Sequence, residues 1–542
     1  VKQEFPMQSL PIRALAAWVL LCLPYLALGA WLESAKGLQS VAAFVASIAL
    51  LMWVLAFVAR TWRRFLLLQF PFLVLAGAFA AYTLTFDDRP GKGIAYVLVT
   101  SSWAEFLGFF GIWQGKRLLL VAVILALIYL ILAVRSAPRR ISFGRHVYLR
   151  WGPLAAVVLL SVYAAQNAVA FVEGIEFNPV IGTAMFAIGP LREARASLDG
   201  RAIRKVPYGA SRGDADEEVH ILVIGESARR DSWSVYGYQR QTTPYLEQLR
   251  GEAIFFQNAV ADANLTIYAV PILLTGTPPT RLDMKAIAGS LVDLAQEAGY
   301  STTWLMNQDP HISLLTGIHA ERMGYPPIST VVAGNLPVDG TLLPDLQREI
   351  KRRGKSRFIG LHTFGSHWEY ALRYPAAFKH FGSGSELSHL SFLSEQPDQR
   401  ILDAYDNSVA YTDWFLGQVI EQARTLNVPA TVTYFSDHGE DLFMLDGRAG
   451  HGTHAYSKHQ YAIPAFVWVN SAYRKAHPDK VQAMTQNSAK EIRSHNVFYS
   501  VADLMGIEWP GASPAQSFAS SAFIPDLSPQ VIAGGTLVSR TD

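Results

Sequence analysis

Apolar residues crowd into the first third of this chain, in runs about as long as the hydrocarbon core of a bilayer is thick. Residues 14–31, 38–59, 65–84, 118–134 and 149–171 each approach the roughly 20 residues that a helix needs to cross that core. Lipid offers no hydrogen-bond partners, so such runs must be helices. Five spans are expected. The first follows Arg13 and, because others come after it, reads as a retained signal anchor. Arg60, Arg63 and Arg64 lie between the second and third runs, and Arg135, Arg139, Arg140, Arg145 and Arg150 between the fourth and fifth. The positive-inside bias puts both loops in the cytoplasm and everything after residue 171 on the other side. Lys116 and Arg117, at the outer end of the fourth run, read as snorkelling anchors.

Three regions follow: a membrane domain over 1–172, a bridge over 173–218 with a short helix near 190–198, and a soluble domain over 219–542. Residues 94–113 are too interrupted for a span and read as an amphipathic segment on the outer leaflet. Beyond residue 219, strand-like runs (301–305, 357–363, 431–435, 463–469) alternate with helical patterns (291–298, 404–423), which predicts an α/β domain with a mostly parallel sheet. The tail after Phe523, rich in Pro, Ser, Gly and Thr, reads as loosely held. A formal net charge of +2 gives no electrostatic footprint for nucleic acid. Cys22 is the only cysteine, which excludes intrachain disulfides and a cysteine-ligated metal.

The β-forming run 219–224 is halted by Gly225 and delivers Glu226 where a parallel strand would end, the usual place for ligands in such domains. A second run ends in Ser436, Asp437, His438, Gly439 and Glu440. Glu226, Asp437 and His438 together offer the oxygen and nitrogen ligands that Zn²⁺ accepts at about 2.0–2.2 Å. A fourth ligand is needed.

Gly225-Glu226-Ser227, Arg230-Asp231, Tyr236-Gly237-Tyr238 and Thr242-Thr243-Pro244, with Asp437-His438-Gly439-Glu440, resemble motifs of the bacterial inner-membrane phosphoethanolamine transferases. The order of the hydrophobic segments agrees. The resemblance implies an N-terminal transmembrane helical bundle followed by a periplasmic α/β catalytic domain of the sulfatase and alkaline phosphatase superfamily. It also implies transfer of phosphoethanolamine from phosphatidylethanolamine, through a phospho-threonine enzyme, to a glycan or lipopolysaccharide acceptor: lipid A, a core sugar or a periplasmic glucan. A monomer working on membrane lipid is expected.

By the same resemblance Thr266, five residues before Pro271, is both nucleophile and fourth ligand of one tightly bound Zn²⁺. His367 would bind phosphate oxygens, protonate the leaving group or, with His451, hold a second metal. His362, His454 and His459 read as structural or solvent-facing. Where relatives carry a lysine this chain has His311, with Asn307 and Gln308 on the acceptor side. Ser101 and Glu105 occupy positions that face the lipid donor, while Val97 replaces the usual asparagine. Several relatives brace the catalytic domain with disulfides; this one is expected to rely on packing. The same fold could serve a phosphoglycerol transferase or a phosphodiesterase, and a transporter or sensor with an inactive soluble domain is the alternative of another class. Against the last, the spans show no pseudo-repeat and no paired mid-bilayer charges.

Overall fold

The computed structural model describes residues 12–86, 89–90, 95, 116–138, 167–189, 191–192, 206–213, 216–284, 286–308, 318–325, 337–368, 370–382, 399–445 and 448–541. Two compact units divide the chain, one built mainly from residues before 192 and the other mainly from those after.

In the first unit the apolar runs are helices: α1 (Ile12–Lys36), α2 (Leu38–Ala59), α3 (Trp62–Phe86) and α4 (Lys116–Val134). Three of them, at 12–36, 38–59 and 62–84, are long and apolar enough to cross a membrane. The run at 118–134 is shorter, and most of the fifth expected span, at 149–166, lies outside the described residues, as do 96–115 with Ser101 and Glu105.

Helices α5 (Ala168–Glu176) and α6 (Pro179–Ile188) follow, bent by 90°. Asn178 makes that corner: its side chain accepts from the amides of Val180 and Ile181 and donates to Ser47 Oγ at 2.9 Å. Pro179 then supplies a first helical residue that needs no N–H partner. A Cβ on Gly174 would meet the Ser40 carbonyl at 2.2 Å, so α5 can approach α2 only through a glycine. The expected helix at 190–198 falls almost wholly outside the described residues.

The second unit is the expected α/β domain. Its strands include β1 (Val219–Gly225), β2 (Ala253–Phe255), β3 (Asn258–Val260), β4 (Ser301–Met306), β5 (Arg322–Gly324), β6 (Arg357–His362), β7 (Ala430–Ser436), β8 (Ala462–Ile463), β9 (Ala465–Val469), β10 (Glu491–Arg493), β11 (Gln530–Ala533) and β12 (Thr536–Ser539), besides two short antiparallel pairs outside the main sheet. Seven of them make the main sheet in the order β2-β9-β7-β1-β6-β4-β5. The five from β7 to β5 are parallel, and β9 and β2 add an antiparallel edge. All seven residues of central β1 are buried, as a strand covered on both faces requires. Apolar clusters cover the two faces, one including α7 (Thr266–Thr275) and the other α8 (Gln399–Arg424).

The C-terminal tail departs from expectation. Rather than lying loose, β11 and β12 form a hairpin whose Val531, Ile532 and Ala533 are buried. Gly534 and Gly535 both adopt positive φ (54° and 87°), as a two-residue turn of this kind demands.

Candidate active site

Four parallel strands end together at one edge of the main sheet. Glu226 follows β1, Asn307 and Gln308 follow β4, Thr363 follows β6, and Asp437 and His438 follow β7. Gly225 lets β1 reach this edge, because a Cβ there would lie 2.2 Å from Tyr434 Oη. Ser227 then turns the chain in the left-handed region (φ 55°), a conformation that costs a non-glycine residue about 1–3 kcal/mol and persists only where surroundings enforce it. Here they do: its hydroxyl donates to Glu226 Oε1 at 2.7 Å and its amide to Asp437 Oδ1 at 3.2 Å.

Thr266, the first residue of α7, points its hydroxyl into this cluster, 3.0 Å from Glu226 Oε2 and 3.3 Å from His438 Nε2. The ring of His438 is fixed by its other nitrogen. Nδ1 lies 2.9 Å from the Gly439 carbonyl, which can only accept, so Nδ1 carries the proton and Nε2 presents a lone pair. That lone pair faces Glu226 Oε1 and Asp437 Oδ2, each at 3.4 Å, all three side chains being buried. Asp437 Oδ2 has no hydrogen-bond donor among the described residues. Three buried acceptor groups turned toward one point is an arrangement that a cation would stabilise. Glu226, Asp437 and His438 place their ligand atoms within 4.8 Å of one another, and the donor set suits zinc. Burial pushes the Asp437 carboxyl up to about 7; a divalent ion would reverse that.

A second group shares Glu226. Its carboxylate and ring nitrogens of His367 and His451 also lie within 4.8 Å of one another. His367 Nδ1 donates to the Trp368 carbonyl at 2.7 Å, and His451 Nδ1 lies 3.1 Å from Glu440 Oε2, so in each ring Nε2 is the nitrogen left for a ligand. Burial holds His367 down to about 4 and His451 down to about 3, leaving both neutral at ordinary pH.

Two supporting residues escaped the sequence reading as such. Glu440 orients His451 from a fully buried position. Gln308, expected on the acceptor side, donates to Glu226 Oε2 at 3.1 Å and to the Thr363 carbonyl at 2.8 Å, so it braces Glu226. Asn307 is buried and turned away to Asp339, to whose Oδ1 it donates at 2.9 Å. His311 lies outside the described residues. Neither buried ring nitrogen of His362 finds a hydrogen-bond partner among the described residues, and burial depresses it to about 3. His459 Nδ1 pairs with Asp231 Oδ2 at 2.9 Å.

The other motif residues are scaffold. Tyr236 donates to the Ala465 carbonyl at 2.7 Å, Thr242 to the Ser232 carbonyl at 2.7 Å, and Thr243 Oγ1 accepts from the Val235 amide at 2.9 Å.

Residues 219–507, more than half of the chain, match the family model named Sulfatase. The chain belongs to the Sulfatase family. Within it, the resemblance to the phosphoethanolamine transferases is borne out. The phosphoethanolamine transferase EptC of Escherichia coli K12 is 25% identical over 56% of this chain and 53% of its own length, so the match spans about half of that relative. YhbX of the same strain is 27% identical over 82% of this chain and 80% of its own. The crystal structure of the EptC periplasmic domain in complex with Zn aligns with a TM-score of 0.55 at 23% identity, over 62% of this chain and 96% of the domain. The integral membrane phosphoethanolamine transferase EptA of Neisseria meningitidis aligns with a TM-score of 0.70 at 21% identity, over 93% of this chain and 98% of its own, an agreement in fold.

Proposed function

We propose that this protein is a zinc-dependent phosphoethanolamine transferase of the bacterial inner membrane, with five spans and its catalytic domain in the periplasm. The observation that carries the reading is the placement of Thr266 Oγ1 at 3.0 and 3.3 Å from two members of a buried Glu-Asp-His cluster. Glu226, Asp437, His438 and Thr266 would hold the ion. When bound, zinc offsets phosphoryl charge and lowers the pKa of a coordinated hydroxyl.

The chain's own residues do the rest. Thr266 Oγ1 loses its proton and forms a bond to the phosphorus of phosphatidylethanolamine; the bond from phosphorus to the glycerol oxygen breaks, and that oxygen takes up one proton and leaves as diacylglycerol. An acceptor oxygen on a glycan or lipopolysaccharide then attacks the same phosphorus and loses its proton, the bond from phosphorus to Thr266 Oγ1 breaks, and Thr266 regains a proton. The Nε2 atoms of His367 and His451 are the ring nitrogens left to meet these charges, each ring being held in position through its Nδ1. The membrane helices keep the enzyme beside a donor that is itself a bilayer lipid.

The enzymes named among the relatives support transfer of phosphoethanolamine rather than hydrolysis. One of them is a Kdo(2)-lipid A phosphoethanolamine 7''-transferase of Escherichia coli K12, which favours a glycolipid acceptor. Mass spectrometry of lipid A, core and glucan fractions from cells with and without the gene tests the reading. A phosphoethanolamine increment confined to cells with the gene is expected; a phosphoglycerol increment, or none in any fraction, would overturn it.

A further inference from the structure

The active-site threonine sits at the end of a segment, 261–266, that no disulfide can brace, since Cys22 is the only cysteine. What braces it is the C-terminal hairpin. The Asn264 amide donates to the Ile532 carbonyl at 3.2 Å, the Ile532 amide donates to the Asp262 carbonyl at 2.9 Å, and Ala263 bridges Ile532 in parallel. Asp262 is buried and paired with Arg493 at 2.7 Å; the same guanidinium donates to the carbonyls of Ser528 and Gln530 at 2.6 Å each, where the hairpin begins. A buried ion pair thus fastens hairpin and segment together, so packing is not the domain's sole support.

Asn264 adds a link to the other side of the site. Its Oδ1 accepts from the Gly534 amide at 3.0 Å, while its Nδ2 donates to the Thr453 carbonyl at 2.9 Å and to Gln460 Oε1 at 2.7 Å. Thr453 is two residues beyond His451. Between them Gly452 (φ 74°) lies so close to Leu265, the neighbour of Thr266, that a Cβ would meet Leu265 Cδ2 at 2.6 Å. The hairpin turn touches this loop too: a Cβ on Gly534 would lie 2.7 Å from His454 Nδ1. One saturated amide therefore joins the segment of Thr266, the loop of His451 and the tip of the hairpin.

We propose that the C-terminal hairpin is a positioning element of the active site, acting through Asn264 to hold Thr266 in register with His451. The proposal rests on Thr266 being the nucleophile. Its cost when disturbed would be one of alignment, where a displacement of about 1 Å can cost about 10²-fold in rate.

Asn264 is the place to test it, since removing either partner of the buried Asp262–Arg493 pair risks the fold. Full-length, zinc-loaded protein in detergent is assayed for diacylglycerol release from phosphatidylethanolamine, with zinc content and thermal midpoint measured on the same samples. Asn264→Ala should lower kcat by about 10- to 10²-fold with KM within about twofold of wild type and zinc retained. Asn264→Ser keeps a small neutral polar group at this buried position but cannot reach all three partners; it should fall in the same direction by less, and it carries the test if the alanine variant does not fold. A folded variant with a lowered midpoint but a kcat within about twofold of wild type, or with a change in KM alone, would overturn the proposal. Full activity in Thr266→Ala would instead sink the assignment of the nucleophile.

Discussion

Glu226 divides the site into two halves of unlike character. On one side Asp437 and His438 are buried, their hydrogen bonds are made by backbone groups, and Thr266 completes a closed set. On the other, His367 and His451 are only partly buried, and with Nδ1 engaged by the Trp368 carbonyl and the Glu440 carboxyl each keeps Nε2 for a ligand. On the proposed reading the closed half keeps the ion and the open half meets what arrives and leaves. A ligand set that is oriented before binding holds its metal without reorganisation, whereas a rim of neutral imidazoles can serve a phosphate oxygen, a proton or a second cation in turn.

The comparison breaks if substitutions on the two sides behave alike. In the closed half, Asp437→Asn and Glu226→Gln should remove both the tightly held zinc and all measurable transfer, read by metal analysis and diacylglycerol release. On the rim, His367→Ala and His451→Ala should keep that zinc and slow turnover by about 10²–10⁴-fold. Loss of zinc from either histidine variant would erase the distinction.

Smaller effects sharpen it. Gln308→Ala, which removes one of the two donors to Glu226 Oε2, should weaken zinc binding by about 10- to 100-fold in a chelator competition. Glu440→Gln retains an acceptor for His451 but no charge; it should slow turnover and leave zinc affinity near that of wild type.

The smallest effect is on stability. His362, His367 and His451 titrate at about 3, about 4 and about 3 in the folded protein because burial disfavours their charged forms, against about 6.5 in an unfolded chain. Between those values the unfolded state binds more protons, so stability should fall as pH drops from about 6.5 towards 4. A thermal midpoint that rises over that interval would contradict the assigned burial.

The parts legible in the sequence were those written locally. Glu226 and the Asp437-His438 pair announced themselves because an apolar run stops and a charged residue follows, and the first three spans because apolar length alone implies a helix in lipid. Motif residues such as Tyr236 and Thr243 were visible too, though their work is to hold turns. What stayed hidden depends on chain crossings. Nothing near Gln308 says that β4 will end two strands from β1 with its side chain on Glu226, and nothing near Glu440 says that His451 folds back onto it. The hairpin is the instructive miss. Composition suggested a loose tail, yet Val531-Ile532-Ala533-Gly534-Gly535-Thr536-Leu537-Val538 is a pair of β-forming runs around two glycines, a short-range hairpin signal.

The central claim is that the Thr266 oxygen takes the phosphoryl group. Rapid-quench peptide mapping across residues 261–275, after mixing purified wild-type protein with phosphatidylethanolamine and no acceptor, tests it most directly. Thr266 should become heavier by one phosphoethanolamine group at a rate matching diacylglycerol release; Thr266→Ala should show neither, and Thr266→Ser, which keeps the oxygen, should show some of each. Diacylglycerol released at full rate with Thr266 unmodified at every quench time would contradict the account.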